Sequence, residues 1–125
     1  MRGIMLFVLC ACGSPGQATP DGPDGGYALT CESGGATFPL LDKSCSVASD
    51  CFVAVHQINC CGTQTAIGLN ASSQSAFSSA ETQCSGAYPG CGCAQFPTTA
   101  EDGRSEDMGA IQVDCRSGQC FTFVP

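Results

Sequence analysis

The segment CFVAVHQINCCGTQTAIGLN, residues 51–70, predicts the first hairpin of the fold. Its first part, residues 51–58, is rich in β-branched and aromatic side chains and therefore predicts a β-strand. The letters NCCG then indicate a tight turn, and in residues 63–69 threonine and aliphatic side chains recur at every second position, which predicts a second strand. We expect the two strands to form an antiparallel hairpin with adjacent cysteines, Cys60 and Cys61, at its turn.

Residues 70–84, which follow the hairpin directly, predict one helix. Phe77, Ala80 and Cys84 are spaced i, i+3 and i+7 and form a narrow apolar stripe. Asn70, or one of the serines after it, is a candidate to cap the start of the helix. Because serine lowers helix propensity, we expect this helix to depend on packing and on a disulfide from Cys84.

The carboxyl-terminal part predicts a long loop and then a second hairpin. Residues 85–109 contain many loop-forming residues and are expected to be pinned by Cys91 and Cys93. Residues 110–124 alternate in polarity on either side of the letters RSGQ, which predicts two strands joined by a turn. With the first hairpin and the helix, they predict an α+β fold: a small disulfide-rich domain with an antiparallel sheet of two hairpins and one helix.

The register of the second hairpin leaves two alternatives open. If Cys115 faces Cys120 across the turn, Phe121 and Phe123 fall on the face that carries polar residues of the opposite strand. Either a bulge at Gly118 shifts the register, or both faces of this hairpin are partly covered.

Cysteine content predicts that covalent cross-links stabilise the domain. The chain has no tryptophan and many small residues, so its apolar core is thin. Residues 31–125 contain ten cysteines, a density typical of disulfide scaffolds, and an even number allows five bridges of about 2–4 kcal/mol each. The pairing stays open, but the Cys60/Cys61 and Cys91/Cys93 pairs are too close to bond internally without strain, so each member is expected to reach a distant partner. The predicted disulfide cysteines are Cys31, Cys45, Cys51, Cys60, Cys61, Cys84, Cys91, Cys93, Cys115 and Cys120.

The amino terminus predicts export from the cytoplasm. Arg2 precedes an apolar run over residues 4–11, which is the pattern of a secretory signal peptide and assigns residues 1–11 to it. This run is too short to cross a bilayer, which takes about 20 residues. Without the leader, the chain has three basic residues against eleven acidic ones, a net charge of about −8. Such a charge argues against nucleic acid as a partner and against electrostatic attachment to anionic lipid.

The end of the apolar run, Leu9-Cys10-Ala11-Cys12, resembles the lipobox of bacterial lipoprotein signal peptides. The resemblance implies cleavage after Ala11, diacylglycerol on the sulfur of Cys12 and an acyl chain on the new amino terminus, which together anchor a protein stably in a membrane. Cys10 is a poorer candidate, because the bulky Leu9 precedes it. The alternative is an ordinary signal peptide cut nearby, which leaves Cys12 for a disulfide.

Residues 12–30 are assigned to the lipidated cysteine and a flexible tether, and residues 31–125 to the disulfide-rich domain. The stretch 13–26 holds five glycines and three prolines and no aromatic residue, so it cannot bury enough apolar surface to order itself. Lipidation of Cys12 also leaves an even number of cysteines in the domain.

Four motifs carry a further resemblance: SVASDC (46–51), CCG (60–62), PGCGC (89–93) and VDCRSGQC (113–120). The set resembles a group of small cysteine-rich lipoproteins of myxobacteria and related bacteria, which join a short lipobox and a Gly/Pro tether to a domain closed by a cysteine-bearing hairpin. The resemblance implies a lipid-anchored protein of the bacterial cell envelope, located at the outer membrane or on the periplasmic face of a membrane. Its domain is expected to be a binding or structural module, with an unknown envelope protein as its partner. It implies no catalytic residue.

A looser likeness gives the alternative function, a secreted protease-inhibitor-like domain. Asp50-Cys51 and Cys60-Cys61 resemble the acidic-cysteine and double-cysteine motifs of four-disulfide-core inhibitors. The eight residues between Cys51 and Cys60 exceed the usual gap of that family, and the predicted helix has no place in such a domain.

Neither an active site nor a cofactor or metal site is predicted. His56 is the only histidine, and there is no G-x-S-x-G motif. Asp50 lies six residues earlier, next to the same predicted strand, so a structural role is favoured for His56. Zinc is disfavoured because the chain has no C-x-x-C pair. The loop 101–109 offers four carboxylates but lacks the spacing of a helix–loop–helix Ca²⁺ site, so we expect a solvated acidic loop.

The Cys60-Cys61 and Cys91-Gly92-Cys93 motifs raise the hypothesis of thiol exchange. An attacking thiol needs a lowered pKa, which comes from a nearby cation or a helix start. Neither motif has a lysine or arginine close to it in sequence, so structural bridging is favoured.

Overall fold

The computed structural model describes residues 26–94 and 96–125; the predicted signal peptide, Cys12 and most of the predicted tether lie outside this range. Within it the α+β disulfide-rich fold is confirmed. The strands and helix are β1 (Cys51–Gln57), β2 (Gln64–Asn70), α1 (Gln74–Gly86), β3 (Thr98–Thr99), β4 (Ser105–Glu106), β5 (Gln112–Arg116) and β6 (Gln119–Phe123), with 3-10 turns at Ala48–Asp50, Ala71–Ser73 and Met108–Ala110.

The first hairpin packs against α1 on one face. β1 and β2 pair antiparallel from Cys51 opposite Asn70 to Gln57 opposite Gln64, as the alternation predicted. The helix buries its stripe of Phe77, Ala80 and Cys84 on this hairpin. The spacing of the three residues predicted this contact, because residues three and four apart share a helix face.

The start of the helical segment is capped from the last residue of β2. The Asn70 side chain accepts a hydrogen bond from the Ser72 N–H at 2.8 Å, which satisfies one of the free donors of the 3-10 turn that leads into α1. Cys84 is disulfide-bonded to Cys31, so the predicted cross-link of the helix is present.

The opposite face of the first hairpin packs against the second one, so that β2 lies in the middle of three layers. A second apolar cluster, formed by Ala66, Ala100, Ile111 and Val124, fills this interface. Residues 66–69 are all buried, because β2 has neighbours on both faces. Strict alternation of polarity therefore breaks down in this strand.

Close contact between the hairpins requires glycine at position 68. A Cβ atom at Gly68 would lie 2.6 Å from the carbonyl carbon of Cys120 and 2.7 Å from the backbone nitrogen of Phe121. These are backbone atoms, which cannot rotate away as a side chain can. Gly68 therefore sets the distance between β2 and β6.

The second hairpin has no bulge, because Cys115 lies directly opposite Cys120. Ser117 and Gly118 have φ angles of 52° and 76°, so the two-residue turn has positive φ at both central positions, as in a type I′ turn. This geometry suits the right-handed twist of the strands and removes the need for a register shift.

Both faces of the second hairpin are covered, as the other alternative required. Cys120 and Thr122 are fully buried on the inner face. On the outer face the guanidinium of Arg116 lies 4.9 Å from the ring centre of Phe121 and 4.6 Å from that of Phe123. The arginine thus shields two rings that strand alternation places on the outer side.

The two hairpins lie in separate sheets, of strand order β1-β2-β3-β4 and β5-β6. β3 pairs parallel with β2 through Thr99 and Thr65, and antiparallel with β4. The predicted loop over residues 85–109 thus supplies two further strands. Each is only two residues long, too short to show a period in the sequence.

Five disulfides connect the layers. The first joins the amino-terminal segment to α1. The second joins the segment before β1 to the second hairpin, and the third joins the first residue of β1 to the same hairpin. The last two join the β1–β2 turn to the loop after α1. The pairs are Cys31–Cys84, Cys45–Cys115, Cys51–Cys120, Cys60–Cys91 and Cys61–Cys93. The adjacent and near-adjacent cysteines each bond to a distant partner.

Residues 27–30, assigned to the tether from the sequence, belong to the packed domain. The Tyr27 N–H donates to the Leu41 carbonyl at 2.6 Å, and the Leu41 N–H donates back at 3.0 Å. Tyr27 and Leu29 also pack against the apolar cluster between α1 and the first hairpin, which includes Leu69 and Phe77. The Gly/Pro-rich composition that predicted the tether ends at Gly26, so the boundary lies a few residues earlier than Cys31.

We predict that Gly68→Ala destabilises the domain by about 1–3 kcal/mol, because the new methyl group forces β2 and β6 apart. Gly86→Ala is the matched control: it lies in α1 with no atom near the added methyl group, so it should be neutral or stabilise by up to about 1 kcal/mol. Urea unfolding with all bridges intact measures both. Equal effects of the two substitutions would contradict the close contact.

Candidate functional site

The β1–β2 turn presents two adjacent cysteines at one end of the first hairpin. The Asn59 side-chain oxygen accepts hydrogen bonds from the N–H groups of Cys61 at 3.0 Å and Thr63 at 3.2 Å. Gly62 has a φ of 78°, and its N–H donates to the Asn59 carbonyl at 3.2 Å. Asn59 therefore shapes the backbone that carries both cysteines.

These cysteines form two neighbouring disulfides, which we call the double bridge: Cys60–Cys91 and Cys61–Cys93. Their Cα–Cα distances are 5.6 and 5.1 Å. Residues 91 and 93 are exposed, whereas residues 60 and 61 are half-buried. The more exposed residues of the double bridge therefore lie on the loop after α1.

The basic side chains of the described chain make their contacts away from the double bridge. Lys43 Nζ lies 2.5 Å from Glu101 Oε1, and the Arg104 guanidinium donates to the Val124 carbonyl at 2.6 Å. Arg116 covers phenylalanine rings of the second hairpin. These contacts agree with the sequence argument that the four cysteines have no cationic partner.

His56 is buried, and its two ring nitrogens contact two different segments of the chain. Its Nδ1 lies 2.7 Å from Glu81 Oε2, and its Nε2 lies 3.1 Å from the Thr30 carbonyl oxygen. A carbonyl oxygen only accepts, so Nε2 is the donor in the contact with Thr30. The Phe38 ring packs on the imidazole, with ring centres 5.4 Å apart.

This arrangement suits the structural role that the sequence favoured. Glu81 also accepts the Gln57 N–H at 2.8 Å, so one carboxylate joins α1 to β1, and His56 joins both to residue 30. Both ring nitrogens face acceptors rather than a hydroxyl group. In this geometry His56 has no nucleophile to activate.

The prediction of a solvated loop over residues 101–109 is wrong for its first two carboxylates. Glu101 Oε1 lies 2.5 Å from Lys43 Nζ, and Glu101 Oε2 accepts the N–H groups of Gly68 and Thr122, each at 2.9 Å. The side chains of Lys43 and Glu101 are 10% and 21% exposed. Glu101 therefore serves the packing of the two hairpins.

Asp102 acts in the same way at the next position. Its Oδ1 accepts the Arg104 N–H at 2.9 Å, and its Oδ2 accepts the Val124 N–H at 3.0 Å. These two hydrogen bonds hold the pKa of Asp102 below its ordinary value of 3.8, with the Arg104 N–H as the larger cause. The other two carboxylates of the loop, Glu106 and Asp107, are exposed as expected.

Sequence patterning missed Glu101 and Asp102 because their partners lie far along the chain. The N–H groups of Thr122 and Val124 sit on the edge of β6 that faces away from β5. The two carboxylates satisfy these donors in place of another strand. The local sequence, Glu101-Asp102-Gly103, does not indicate that the two carboxylates accept hydrogen bonds from residues 122 and 124.

One group of sulfurs in the described chain has the spacing of a metal site. The Sγ atoms of Cys45, Cys51 and Cys120 lie within 4.8 Å of one another. All three belong to disulfides, Cys45–Cys115 and Cys51–Cys120, so the group offers no thiolate ligand to a metal ion.

Cys12, the predicted lipidation site, lies outside the described residues. Within residues 26–94 and 96–125, no helix combines the length and hydrophobicity that crossing a membrane requires. Comparisons of the chain with protein-family models, curated proteins and solved structures found no match.

We predict that the two halves of the double bridge are largely redundant for stability. Cys60→Ser/Cys91→Ser removes a cross-link of sequence separation 31, but Cys61–Cys93, of separation 32, still closes nearly the same loop. The double substitution should therefore cost less than about 1 kcal/mol, against about 2–5 kcal/mol for the control Cys31→Ser/Cys84→Ser. Urea unfolding compares them; similar losses would refute redundancy.

We also predict that Glu101→Gln destabilises the domain by about 2–4 kcal/mol, because it leaves the half-buried Lys43 without its charge partner. The same substitution at the exposed Glu106 should change stability by less than about 0.5 kcal/mol. Thermal unfolding of the two variants separates a packed carboxylate from a solvated one. A Glu101→Gln protein as stable as the Glu106→Gln protein would restore the solvated-loop interpretation.

Proposed function

We propose that this protein is a lipid-anchored component of the bacterial cell envelope, whose disulfide-stapled domain acts as a binding or structural module. The observation that carries the proposal is the lipobox-like Leu9-Cys10-Ala11-Cys12 at the end of an apolar leader. Diacylglycerol on Cys12 and an acyl chain on its amino group give the stable membrane attachment that a single acyl chain does not give.

Complete pairing of the domain cysteines supports this role for Cys12. The ten cysteines from Cys31 to Cys120 bond to one another in five bridges. No domain cysteine is left as a disulfide partner for Cys12, which argues against the ordinary signal peptide that would leave it for such a bond. The resemblance to small cysteine-rich lipoproteins of myxobacteria supports the same assignment.

Location outside the cytoplasm is supported by the bridges themselves. Structural disulfides persist in oxidising compartments such as the periplasm and the cell surface. A leader of residues 1–11 would direct the chain to such a compartment. The negative charge makes the acyl chains, rather than basic side chains, the source of membrane attachment.

The tether would separate the domain from the bilayer. The packed domain begins near Tyr27, which pairs with Leu41. Residues 13–25 then connect the lipidated Cys12 to it, with a root-mean-square span of about 20 Å for a Gly/Pro-rich flexible chain. This span leaves the domain free to meet a partner in the envelope.

A non-enzymatic role is supported by the state of His56, the residue considered for an active site. His56 is held between Glu81 and the Thr30 carbonyl. The alternative of a four-disulfide-core inhibitor is weakened by α1 and by the fifth bridge, which have no place in that domain.

Metabolic labelling with an alkyne fatty acid tests the anchor. We expect the wild-type protein to carry the label and to fractionate with membranes, and Cys12→Ala to lose both properties. Cys10→Ala is the matched control, since Cys10 would leave with the signal peptide, and it should retain the label. Label on Cys12→Ala, or an unacylated mature amino terminus by mass spectrometry, would overturn the proposal.

A further inference from the structure

The double bridge holds more covalent links than the fold needs at that place. Both of its disulfides connect the β1–β2 turn to the loop after α1, with sequence separations of 31 and 32. Once one of the two disulfides has formed, the second disulfide closes a covalent ring that contains only residues 60, 61 and 91–93. Closing so short a ring removes little freedom from the unfolded chain. One of the two disulfides is therefore available for a role other than stability.

Accessibility sets the double bridge apart from the other disulfides. Cys31–Cys84 and Cys51–Cys120 each contain a cysteine with 0% exposure. Cys45 and Cys115 are both half-buried, whereas Cys91 of the double bridge is exposed, as is its neighbour at position 93. Thiol–disulfide exchange requires a thiolate to reach a sulfur atom, so these two positions are the most open to attack.

We propose that the double bridge is a thiol-exchange site, at which an external thiolate forms a mixed disulfide with Cys91 or Cys93. The external thiolate attacks the sulfur of Cys93, the Cys61–Cys93 bond breaks, and the sulfur of Cys61 leaves as a thiolate. The same step at Cys91 releases Cys60. One disulfide is exchanged for another, so the reaction needs no oxidant or reductant besides the thiol itself.

The lack of a basic side chain near the double bridge does not oppose a role in thiol exchange. A cation activates a cysteine that attacks, because it stabilises the thiolate. Here the protein supplies the disulfide that is attacked, and the incoming thiol brings the nucleophile. Exposure of the target sulfur is the property that this role demands.

The second disulfide of the pair makes formation of the mixed disulfide reversible. After attack at Cys93, the Cys60–Cys91 bridge still holds the turn against the loop. The released Cys61 thiolate therefore stays close to the mixed disulfide, can attack Cys93 again and expels the external thiolate. Because tethered groups act at an effective concentration on the order of millimolar or more, the adduct accumulates only when the external thiol reaches a similar level.

The test uses the oxidised mature protein, with any free thiols blocked beforehand. One sample receives cysteamine, and a second receives an unstructured peptide with a single cysteine, each added above the millimolar level at which the adduct is expected to accumulate. After an acid quench, mass spectrometry of proteolytic peptides locates the mixed disulfides. We expect adducts on Cys91 or Cys93 to form about tenfold or more faster than on the cysteines of the other three bridges.

An adduct on Cys91 or Cys93 in either sample supports the site, and the sample that reacts identifies the source as a small thiol or a peptide cysteine. No adduct in both samples, or adducts on the other bridges at equal rates, would overturn it. This test does not depend on the lipid anchor, because it concerns only the folded domain.

Variants with one bridge test the proposed role of the neighbouring disulfide. Cys60→Ser/Cys91→Ser keeps Cys61–Cys93, and Cys61→Ser/Cys93→Ser keeps Cys60–Cys91, so one variant serves if the other does not fold. When cysteamine is diluted away, the wild-type bridge should re-close about tenfold or more faster than either single bridge, since only the wild type keeps a second link in place. Equal closing rates would show that the neighbour does not assist recapture.

Discussion

The close crossing of β2 and β6 at Gly68 is the contact on which the rest of the structure depends. The absent side chain lets two backbones approach, and the half-buried pair of Lys43 and Glu101 binds both polar groups of the same residue. Lys43 donates to the Gly68 carbonyl at 2.9 Å, and Glu101 accepts the Gly68 N–H at 2.9 Å. Cys51–Cys120 joins the two hairpins beside this point. One small region thus combines close packing, an ion pair and a covalent link.

Carboxylates connect elements here that a larger hydrophobic core would hold together. Glu81 joins α1 to β1 and His56, while Glu101 joins Lys43 to both hairpins. Glu81 accepts one backbone N–H and Glu101 accepts two, and these donors would otherwise be costly to bury. The chain has few large apolar residues, and polar connections together with disulfides compensate for them.

The sequence predicted the elements whose pattern repeats over several residues. Both hairpins and the stripe of Phe77, Ala80 and Cys84 extend far enough to show a period of two or of three to four. The two-residue strands β3 and β4 are too short to do so. The role of Glu101 and the inclusion of Tyr27 in the domain depend on partners distant in sequence, as does the disulfide pairing, and none of these leaves a local pattern.

Cys31–Cys84 determines how mechanical load would enter the domain. Within the described residues, a pull on the amino-terminal side of the chain would reach Tyr27, which forms two hydrogen bonds with Leu41. A few residues later the backbone meets Cys31, where a covalent bond passes the load into α1. This bond would oppose unravelling of the chain beyond Cys31 by a pull from the amino-terminal side, because residues 31 and 84 cannot separate while it is intact.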